Sequence, residues 1–501
     1  MIAHGYTIYD MLERASVMFG GRRAVVFEGT TLSYKELLAR ADALAAGLQD
    51  LGIAPGERLC VLSQNNLEYF ELYLASAKLG AIMYPVNWRL TAQEVGHVVT
   101  RAGPVAFVYD ESCAEVAKAC RAVERPGLKH WLAIGGDDDA LDVATLYEHD
   151  GASTRHGAAQ DDISLVISTA AVDVIPRGAA LTHGNIAASG MQTMGLLGLN
   201  ETDAALLPLP LFHITAVGHA FAMIQCGGCI LLFRRFDAVA VVSAADELGG
   251  TLLGTFPPML GSVLDAAKES GSQLPHLRHV MGLEGPDMIA RLHEDTNAQF
   301  WTGFGQSETS GFVTLQRAGE RAGTSGRIGP MASVKLFDDD DNEVAVGEVG
   351  EIVVRGPLVM GEYFGQEDVT AHTFRSGWHH TGDRGKFDAD GYLTYAGRKP
   401  EKELIKPGGE NVYPAEVEKI IDEMEAVRGC CVFGVPDEKW GEAVKAVVET
   451  DEGTLSADDV IEYVGSRIGR FKRPRIVAFS TALPRGGDGK VDREKVKAQN
   501  Q

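Results

Sequence analysis

The sequence alternates between helical and strand patterns over two long stretches, and this alternation is what most constrains its fold. Between residues 31 and 110, apolar side chains spaced three and four apart predict a helix over Tyr34–Leu48, with Ser33 as its N-cap. A short buried strand is predicted over Arg58–Ser63, and the alternation returns between residues 160 and 310. Strands separated by helices favour an α/β fold with a largely parallel sheet.

After about residue 325 the pattern changes to short antiparallel strands. Val334–Phe337 and Glu351–Arg355 are predicted strands, separated by turn residues. The run of four aspartates, Asp338–Asp341, fits either a metal site or a solvated hairpin tip, and the turn composition favours the hairpin. Beyond Gly397, about 100 residues with an α+β pattern are long enough to form a small domain. We therefore predict an N-terminal region at 1–397, a hinge at 398–403 and a C-terminal domain at 404–501.

The charge balance narrows the classes of partner. The 501 residues include 69 acidic and 46 basic side chains, which gives a formal net charge of −23. This balance argues against a nucleic-acid binder and against anchoring on an anionic membrane. Local cations can still hold an anionic substrate. No apolar stretch is long enough to span a membrane, and no secretory signal is evident, so we expect a cytoplasmic protein, with a homo-oligomer possible.

Seven scattered cysteines, an odd number, are typical of a reducing compartment. Cys226 and Cys229 are separated by two glycines, a spacing that suits a redox or metal pair. The alternative is a helix that ends at glycine before an apolar strand, which the absence of a nearby Cys or His pair favours. Cys430 and Cys431 stand in an apolar run and are predicted core residues of a strand.

Two segments of the chain carry residue types suited to binding phosphate. In residues 167–185 an apolar strand leads into a loop and then into a helix after Thr182, a common anion-binding geometry. In Trp301–Thr309 a glycine-flanked loop presents the Ser307 hydroxyl beside the Glu308 carboxylate. This pairing suits Mg²⁺ bound to a polyphosphate.

Three further segments follow in the last quarter of the chain. Gly377–Asp383 ends in an aspartate at a glycine turn, which can accept hydrogen bonds from a ribose diol. Residues 397–418 span the predicted domain joint, and residues 483–493 place Lys490 on a glycine-rich loop. Each segment alone also fits an ordinary surface turn. Their order and spacing over some 300 residues are far more specific.

Together these segments resemble the adenylate-forming superfamily of acyl-CoA synthetases, luciferases and peptide-synthetase adenylation domains. The resemblance covers nearly the whole chain, and Asn87–Thr91 looks most like the acyl-CoA synthetase branch. It implies a large N-terminal region of several subdomains, with mostly parallel sheets and a smaller β-subdomain. It also implies a small, mobile α+β C-terminal domain.

The resemblance implies an ATP-dependent carboxylic acid–CoA ligase that uses ATP, Mg²⁺ and CoA. Such an enzyme forms an acyl-adenylate and pyrophosphate, and after rotation of the small domain a thiol takes the acyl group and releases AMP. Matched to the family's motifs, the catalytic residues are Lys490, Glu308 and His213, with Glu308 also the metal ligand. The remaining matched positions are Thr169, Arg177, Gly282, Phe304, Gly305, Ser307, Asp383 and Arg398 for the nucleotide, Lys406, Gly408, Gly409 and Glu410 for CoA, and Phe212, Pro258, Trp301 and Gly303 for the acid.

The phosphate loop departs from the family pattern Thr-Ser-Gly-Thr-Thr-Gly-x-Pro-Lys-Gly. Residues 169–178 lack two of its glycines and three of its hydroxyls, and Arg177 replaces its lysine. Asp173 adds a negative charge where pyrophosphate is expected, and two like charges ~4 Å apart repel by about 4 kcal/mol at an effective dielectric constant of 20. Two extra residues between Arg398 and Leu404 fall on the predicted hinge.

Three functions are therefore weighed. The first is the acid–CoA ligase, which the intact motifs favour. The second is transfer of the acyl group to a carrier-protein thiol. The third is a non-catalytic ligand-binding relative, which only the altered phosphate loop supports. The predicted acid pocket is apolar and partly bulky, and Trp301 favours a short, medium or cyclic acid over a long straight chain.

Overall fold

Two large, mainly parallel sheets form the N-terminal region. The computed structural model describes residues 6–123, 125, 127–148, 153–169, 177–399, 403–486 and 490–500. The first sheet has nine strands, of which the six from β14 to β1 run parallel, whereas the strands at both edges are antiparallel. Its order is β16 (Arg327–Ile328), β15 (Gly311–Arg317), β14 (Gln299–Gln306), β13 (His279–Gly282), β12 (Leu252–Thr255), β10 (Ala204–Leu207), β11 (Cys229–Leu232), β1 (Arg23–Phe27) and β2 (Thr30–Ser33).

The second sheet has eight strands and the same character. The six strands from β8 to β7 are parallel, and an antiparallel pair closes one edge. Its order is β19 (Glu362–Tyr363), β9 (Arg177–Thr182), β8 (Ile163–Thr169), β4 (Ile82–Pro85), β3 (Arg58–Leu62), β5 (Ala106–Asp110), β6 (His130–Ile134) and β7 (Leu141–Asp142). The predicted α/β class with largely parallel sheets is confirmed.

Helices pack on these sheets and join them through one apolar core. They are α1 (Ile8–Phe19), α2 (Tyr34–Asp50), α3 (Leu67–Leu79), α4 (Ala92–Ala102), α5 (Ala114–Arg121), α6 (His183–Leu197), α7 (Ile214–Cys226), α8 (Ala238–Leu248), α9 (Met259–Ser270) and α10 (Pro286–Asp295). Helix α2 starts where the sequence predicts, because Ser33 and Glu36 cap each other's backbone N–H groups. Helices α3 and α7 are buried nearly all round, since the largest apolar cluster includes residues of both sheets and of these two helices.

A third sheet forms the smaller β-subdomain, and it is antiparallel as predicted. Asp338 holds the turn after its first strand by accepting backbone hydrogen bonds from Asp340 and Asn342 at 2.9 and 2.8 Å. Asp341 pairs with Arg375 at 3.2 Å. Asp339 pairs with Lys399 at 3.1 Å, so the aspartate run is a hairpin tip held by ion pairs to neighbouring segments. The strands are β17 (Ser333–Phe337), β18 (Gly350–Arg355), β20 (His379–Phe387) and β21 (Leu393–Arg398), and α11 (Glu367–Thr373) precedes β20.

The C-terminal residues form a three-stranded sheet with helices. The elements are α12 (Pro414–Asp422), β22 (Gly429–Asp437), β23 (Gly441–Glu449), α13 (Ala457–Gly465), β24 (Ile476–Ser480) and α14 (Arg493–Asn500). Cys430 and Cys431 are buried in β22, as predicted. Within the described parts of the chain, no helix is long and apolar enough to cross a membrane. The domain boundaries stay a prediction, and residues 400–402 of the hinge lie outside the described residues.

The cysteine spacing marks the end of a helix. Helix α7 ends at Cys226, Gly227 adopts a left-handed conformation, and β11 begins at Cys229. Left-handed glycine is the usual residue after a helix C-terminus. All seven cysteines are buried free thiols.

The predicted strand–loop–helix around the phosphate loop is wrong in one respect. Residues 177–182 are not loop but strand β9, which pairs antiparallel with β8. Residues 178–182 are buried without interruption, as expected of a strand inside the fold, and Thr182 caps α6 at the end of this strand. A strand therefore separates the loop from the helix N-terminus. Residues 170–176, including Asp173, lie outside the described residues.

A buried lysine ties the N-terminal region to the C-terminal residues. The Lys472 ammonium lies 2.6 Å from a Glu94 carboxylate oxygen and 2.5 Å from one of Glu416. Glu94 belongs to α4, where its other oxygen also accepts a hydrogen bond from the backbone of Gly469 at 3.0 Å. Lys472 is only 4% exposed, so both carboxylates depend on it for their charge balance.

We predict that Lys472→Met destabilises the protein, because it leaves the buried Glu416 and the half-buried Glu94 carboxylates without their cation. Loss of one partner of a buried ion pair costs about 3–5 kcal/mol. Chemical denaturation at pH 7.5 measures the free energy of unfolding. The control is Arg470→Met, at an exposed position two residues away. Equal unfolding free energies for the two variants would contradict the assignment.

Candidate functional site

A cleft of about 660 Å³ lies at the carboxyl ends of the parallel strands of the first sheet. The segments that follow β10, β12, β13 and β14 line it, at Leu209, Phe256, Leu283 and Ser307 among others. Ligands of open α/β sheets commonly bind at this edge, because loops there can vary without disturbing the sheet. Residues 404–413 and 440–442 of the C-terminal part close the opposite wall.

One end of the cleft combines a carboxylate with a guanidinium. Glu308 follows β14 in a short turn, and its carboxylate accepts a hydrogen bond from the Tyr363 hydroxyl at 2.9 Å. The Arg177 guanidinium lies 5.3 Å from the centre of the Tyr363 ring. Thr169 and Ser307 also line this end. Among the described residues no group of three acidic, His or Cys side chains forms a metal cage. A lone carboxylate still suits Mg²⁺, which keeps most of its ligands for water and phosphate oxygens.

A buried aspartate is held in place by three side chains. One Asp383 oxygen accepts a hydrogen bond from the Tyr395 hydroxyl and meets Arg398, both at 2.9 Å. The other accepts one from the Gln306 amide. A carboxylate offers about four acceptor positions, so this network fixes its orientation without exhausting it. Phe304 stacks on Tyr395 with ring centroids 6.2 Å apart, which gives the cleft a flat aromatic wall.

At the other end, a carboxylate from the C-terminal part meets three N-terminal side chains. Glu410 accepts hydrogen bonds from Arg89 at 2.6 Å and Asn87 at 3.1 Å, and its oxygen lies 3.2 Å from His213 Nε2. Burial alone would raise the pKa of Glu410, but His213, Arg89 and Asn87 outweigh it and lower the pKa to about 2. Glu410 is therefore ionised at all ordinary pH values.

Two glycines let the chain enter the cleft beside Glu410. Gly408 and Gly409 have φ values of 60° and 83°, which other residues rarely adopt. A β-carbon on Gly408 would lie 2.8 Å from the Trp440 ring, and one on Gly409 would lie 2.8 Å from the Phe256 ring. Lys406 precedes them and lines the cleft. Desolvation, and then the nearby Arg398, lower the pKa of Lys406.

Most of the predicted site residues line this one cleft, but five lie outside its lining. A β-carbon on Gly282 would strike the Thr255 carbonyl oxygen at 1.8 Å, so this glycine serves strand packing. The Trp301 indole N–H donates to His279 at 3.1 Å, which holds the ring in the core. Phe212 packs beneath Arg89, and Pro258 precedes α9. Lys490 is exposed on the C-terminal part, where its carbonyl accepts from Gly486 at 2.8 Å.

Sequence reasoning missed several residues of the cleft. Tyr363, Tyr395 and Gln306 orient the two key carboxylates, and Trp440 forms part of the C-terminal wall. Tyr363 and Tyr395 come from separate strands, so no local spacing announces them. Arg89 lies within Asn87–Thr91, a segment that carries the family resemblance, so the sequence did offer a way to identify this residue.

A family model for AMP-binding enzymes matches residues 12–364, and a model for the AMP-binding enzyme C-terminal domain matches residues 416–490. The chain belongs to the AMP-binding enzyme family. This confirms the resemblance to adenylate-forming enzymes. It also confirms the expected class, an AMP-forming acid–thiol ligase that uses ATP, Mg²⁺ and CoA.

Named relatives cover nearly the whole of this AMP-binding enzyme. A feruloyl-CoA synthase from Amycolatopsis sp. is 33% identical over 481 residues, 95% of each chain. The long-chain-fatty-acid–CoA ligase FadD13 from Mycobacterium tuberculosis is 32% identical over 467 residues, 92% of this chain and 91% of its own.

A solved relative matches this AMP-binding enzyme to different degrees in two complexes. The o-succinylbenzoate CoA synthetase of Bacillus subtilis is 26% identical in both. Bound to a CoA product analogue, as a double mutant, it gives a TM-score of 0.85 over 97% of this chain and 98% of its own. Bound to its acyl-adenylate intermediate, it gives 0.70 over 97% of each chain.

Glu284 gives this AMP-binding enzyme a titrating group inside the cleft. It follows β13, and its carboxyl accepts a hydrogen bond from the Thr255 hydroxyl at 3.3 Å. Burial raises the pKa of Glu284 from 4.5 to about 7. The folded state therefore holds this proton more tightly than the unfolded state, so the stability it contributes is full below pH 4.5 and is lost as pH rises through 7.

We predict that Glu284→Gln stabilises the protein at pH 8 and has little effect at pH 5, because the amide never bears the buried charge. The Glu284 side chain is half-buried, so the expected gain is about 1–2 kcal/mol rather than the full value of the pKa shift. Thermal and urea unfolding at both pH values measure it. The exposed Glu294→Gln serves as the control, and an equal gain at both pH values would contradict the buried ionisation.

Proposed function

We propose that this chain joins a carboxylic acid to AMP and passes the acyl group to the thiol of CoA. The observation that carries this proposal is the lining of the 660 Å³ cleft. It joins Glu308 and Asp383 of the N-terminal region to Lys406–Asn411 of the C-terminal part. The proposed nucleotide site and the proposed entry route of the second substrate thus open into the same cleft and converge near His213.

Each group of the cleft has a chemical task in this proposal. Glu308 would hold Mg²⁺, which when bound offsets the charge of the phosphates. Arg177 can grip phosphate oxygens in bidentate fashion in place of the family's lysine. Asp383, fixed by Tyr395 and Arg398, accepts hydrogen bonds from the ribose diol. The Phe304 and Tyr395 rings offer the base a flat wall.

The nucleotide and acid positions taken from the family's motifs remain part of the proposal. Thr169, Ser307 and Gly305 line the phosphate end of the cleft, where hydroxyl and backbone N–H groups suit phosphate oxygens. Gly303 lines the part of the cleft between the proposed nucleotide and acid sites. Gly282, Phe212, Pro258 and Trp301 act indirectly, by supporting the walls.

The position of the C-terminal part favours the thiol-transfer arrangement. Residues 406–411 line the cleft, whereas its lining, as far as the chain is described, does not include Lys490. The higher TM-score with the relative that holds a CoA product analogue supports the same assignment. In this proposal Lys490 enters the cleft for adenylation and leaves it for transfer, as the C-terminal part turns about a hinge at residues 398–403.

The C-terminal wall supports CoA over a carrier-protein thiol. The Arg475 guanidinium lies 4.6 Å from the centre of the Trp440 ring, and the Lys439 ammonium lies 5.5 Å from it. An aromatic ring flanked by cations suits a phosphorylated nucleoside.

The seven buried free thiols support a cytoplasmic location. The names of the relatives include both aryl and long-chain acids, so they leave the acid open.

We predict that two lysine variants separate the two half-reactions. Lys490→Ala should slow acid-dependent pyrophosphate release by a factor of about 100 or more, because an ammonium no longer offsets the developing charge. Lys406→Ala should leave pyrophosphate release nearly intact and slow thioester formation instead. Pyrophosphate and acyl-CoA are measured separately over a broad panel of acids. Lys495→Ala, at an exposed site on α14, is the control.

Two results would favour other functions. Adenylation followed by transfer to an acyl-carrier protein but not to CoA would identify a carrier-loading enzyme. Calorimetry that shows carboxylate binding, but no binding of ATP with Mg²⁺, would identify a non-catalytic relative, and Lys490→Ala would then change nothing. Because Asp173 lies outside the described residues, ATP binding is the direct measure of its effect.

A further inference from the structure

The cleft contains two buried polar atoms for which the described residues supply no hydrogen-bond partner. One is Nδ1 of His219, on α7, whose residue is 3% exposed. The other is the hydroxyl oxygen of Ser310, whose residue is 1% exposed. Both residues line the cleft. Buried polar atoms without partners are uncommon, since each costs free energy that a hydrogen bond would recover.

The surroundings of His219 are apolar on the sides that the protein fills. Its Nε2 lies 3.4 Å from the Met281 sulfur, and a β-carbon on Gly254 would lie 3.0 Å from Nδ1. Burial lowers the pKa of His219 to about 4, so the ring is neutral at pH 7. A neutral imidazole carries one N–H and one lone pair, and it can therefore either donate to a hydroxyl or accept from one.

The position of His219 along α7 sets a distance. His213 stands at the start of this helix, next to Glu410 and the proposed point of thiol attack. His219 is six residues further on, and a helix rises 1.5 Å per residue, so the two positions are about 9 Å apart along the axis. An acid whose carboxyl group lies at His213 would therefore reach His219 with a group about 9 Å away.

The space between the two histidines suits a flat ring. Gly218 on α7 and Gly311 on β15 border it, and a β-carbon on either would lie 3.6 Å from the Ser189 hydroxyl oxygen, at ordinary contact distance. Met281 and Phe312 supply apolar contact. Glycine positions without side chains leave a slot between helix and sheet, and sulfur and aromatic groups make favourable contacts with aryl rings.

We propose that the acid substrate is a hydroxylated aryl acid, and that His219 determines this specificity by hydrogen-bonding the hydroxyl. Ser310 provides a second polar contact at the same end of the pocket. The inference rests on the proposed ligase function and adds the class of acid. It differs from an account in which ordered water satisfies Nδ1, because water at that site gives no advantage to a hydroxylated acid.

The test compares three probes that differ at the far end, namely 4-hydroxycinnamic acid, cinnamic acid and octanoic acid. The wild-type enzyme should activate the hydroxylated acid with a kcat/KM at least tenfold above that for cinnamic acid, since a site built to hydrogen-bond a hydroxyl rejects the analogue that lacks it. His219→Leu should reduce this ratio to about threefold or less while cinnamic acid is still activated. His219→Gln should restore part of it. His276→Leu, at an exposed position, should leave the ratio unchanged.

Binding without turnover separates failure of this inference from failure of the ligase function. Calorimetric titration with 4-hydroxycinnamic and cinnamic acid alone should show tighter binding of the hydroxylated acid, lost in His219→Leu and weakened in Ser310→Ala. Equal kcat/KM values for the two aryl acids, or a preference that survives His219→Leu, would overturn the role of His219 and leave the ligase intact. No pyrophosphate release with any acid, together with selective binding, would overturn the ligase function instead.

Discussion

The site depends on one buried carboxylate, Glu410, which joins two parts of the chain. It belongs to the C-terminal loop, yet all three of its hydrogen-bonding partners come from the N-terminal wall. Its ion pair with Arg89, at 2.6 Å, holds the loop at residues 406–411 in the cleft. Glu410 lies beside His213 at one end of the cavity, and the same loop places Lys406 near Arg398 towards the other end. Lys472 forms a second ion pair between the two parts, in which the C-terminal part supplies the cation and Glu94 of the N-terminal region supplies the carboxylate.

The other two carboxylates of the cleft, Glu308 and Asp383, owe their positions to the strands that carry them. Glu308 follows β14, and Asp383 lies on β20 of a different sheet, yet the hydroxyls of Tyr363 and Tyr395 hold them at the same cleft. Each tyrosine donates to a carboxylate and each is close to an arginine. In each case the tyrosine hydroxyl and the arginine offset the charge of the carboxylate, so that a phosphate can bind beside it although the chain as a whole is acidic. The bulk charge of −23 is spread over the whole chain, whereas the cleft holds its carboxylates in hydrogen-bonded networks.

Much of this fold could be predicted from the sequence, because the helix and strand periods are local. Ser33 and Glu36 define the start of α2, and the cysteine–glycine spacing defines the end of α7. Glu308, Asp383 and Arg398 were named from motifs. The hairpin of β8 and β9 was missed because strand pairing depends on a partner some ten residues away. The position of Trp301 in the core could not be read from local spacing, because its partner, His279, lies on the neighbouring strand. The orphaned nitrogen of His219 could not be foreseen, since it depends on three separate elements.

Gly408 and Gly409 have a further consequence for the second substrate. Here the chain is squeezed between the indole of Trp440 and the ring of Phe256, and it passes only because two side chains are missing. In this position of the C-terminal part, the absence of side chains at Gly408 and Gly409 sets the width of the passage. A methyl group at either position would block this passage, because it would clash with one of the two rings. Such a variant would still bind its acid but would no longer transfer the acyl group to the second substrate.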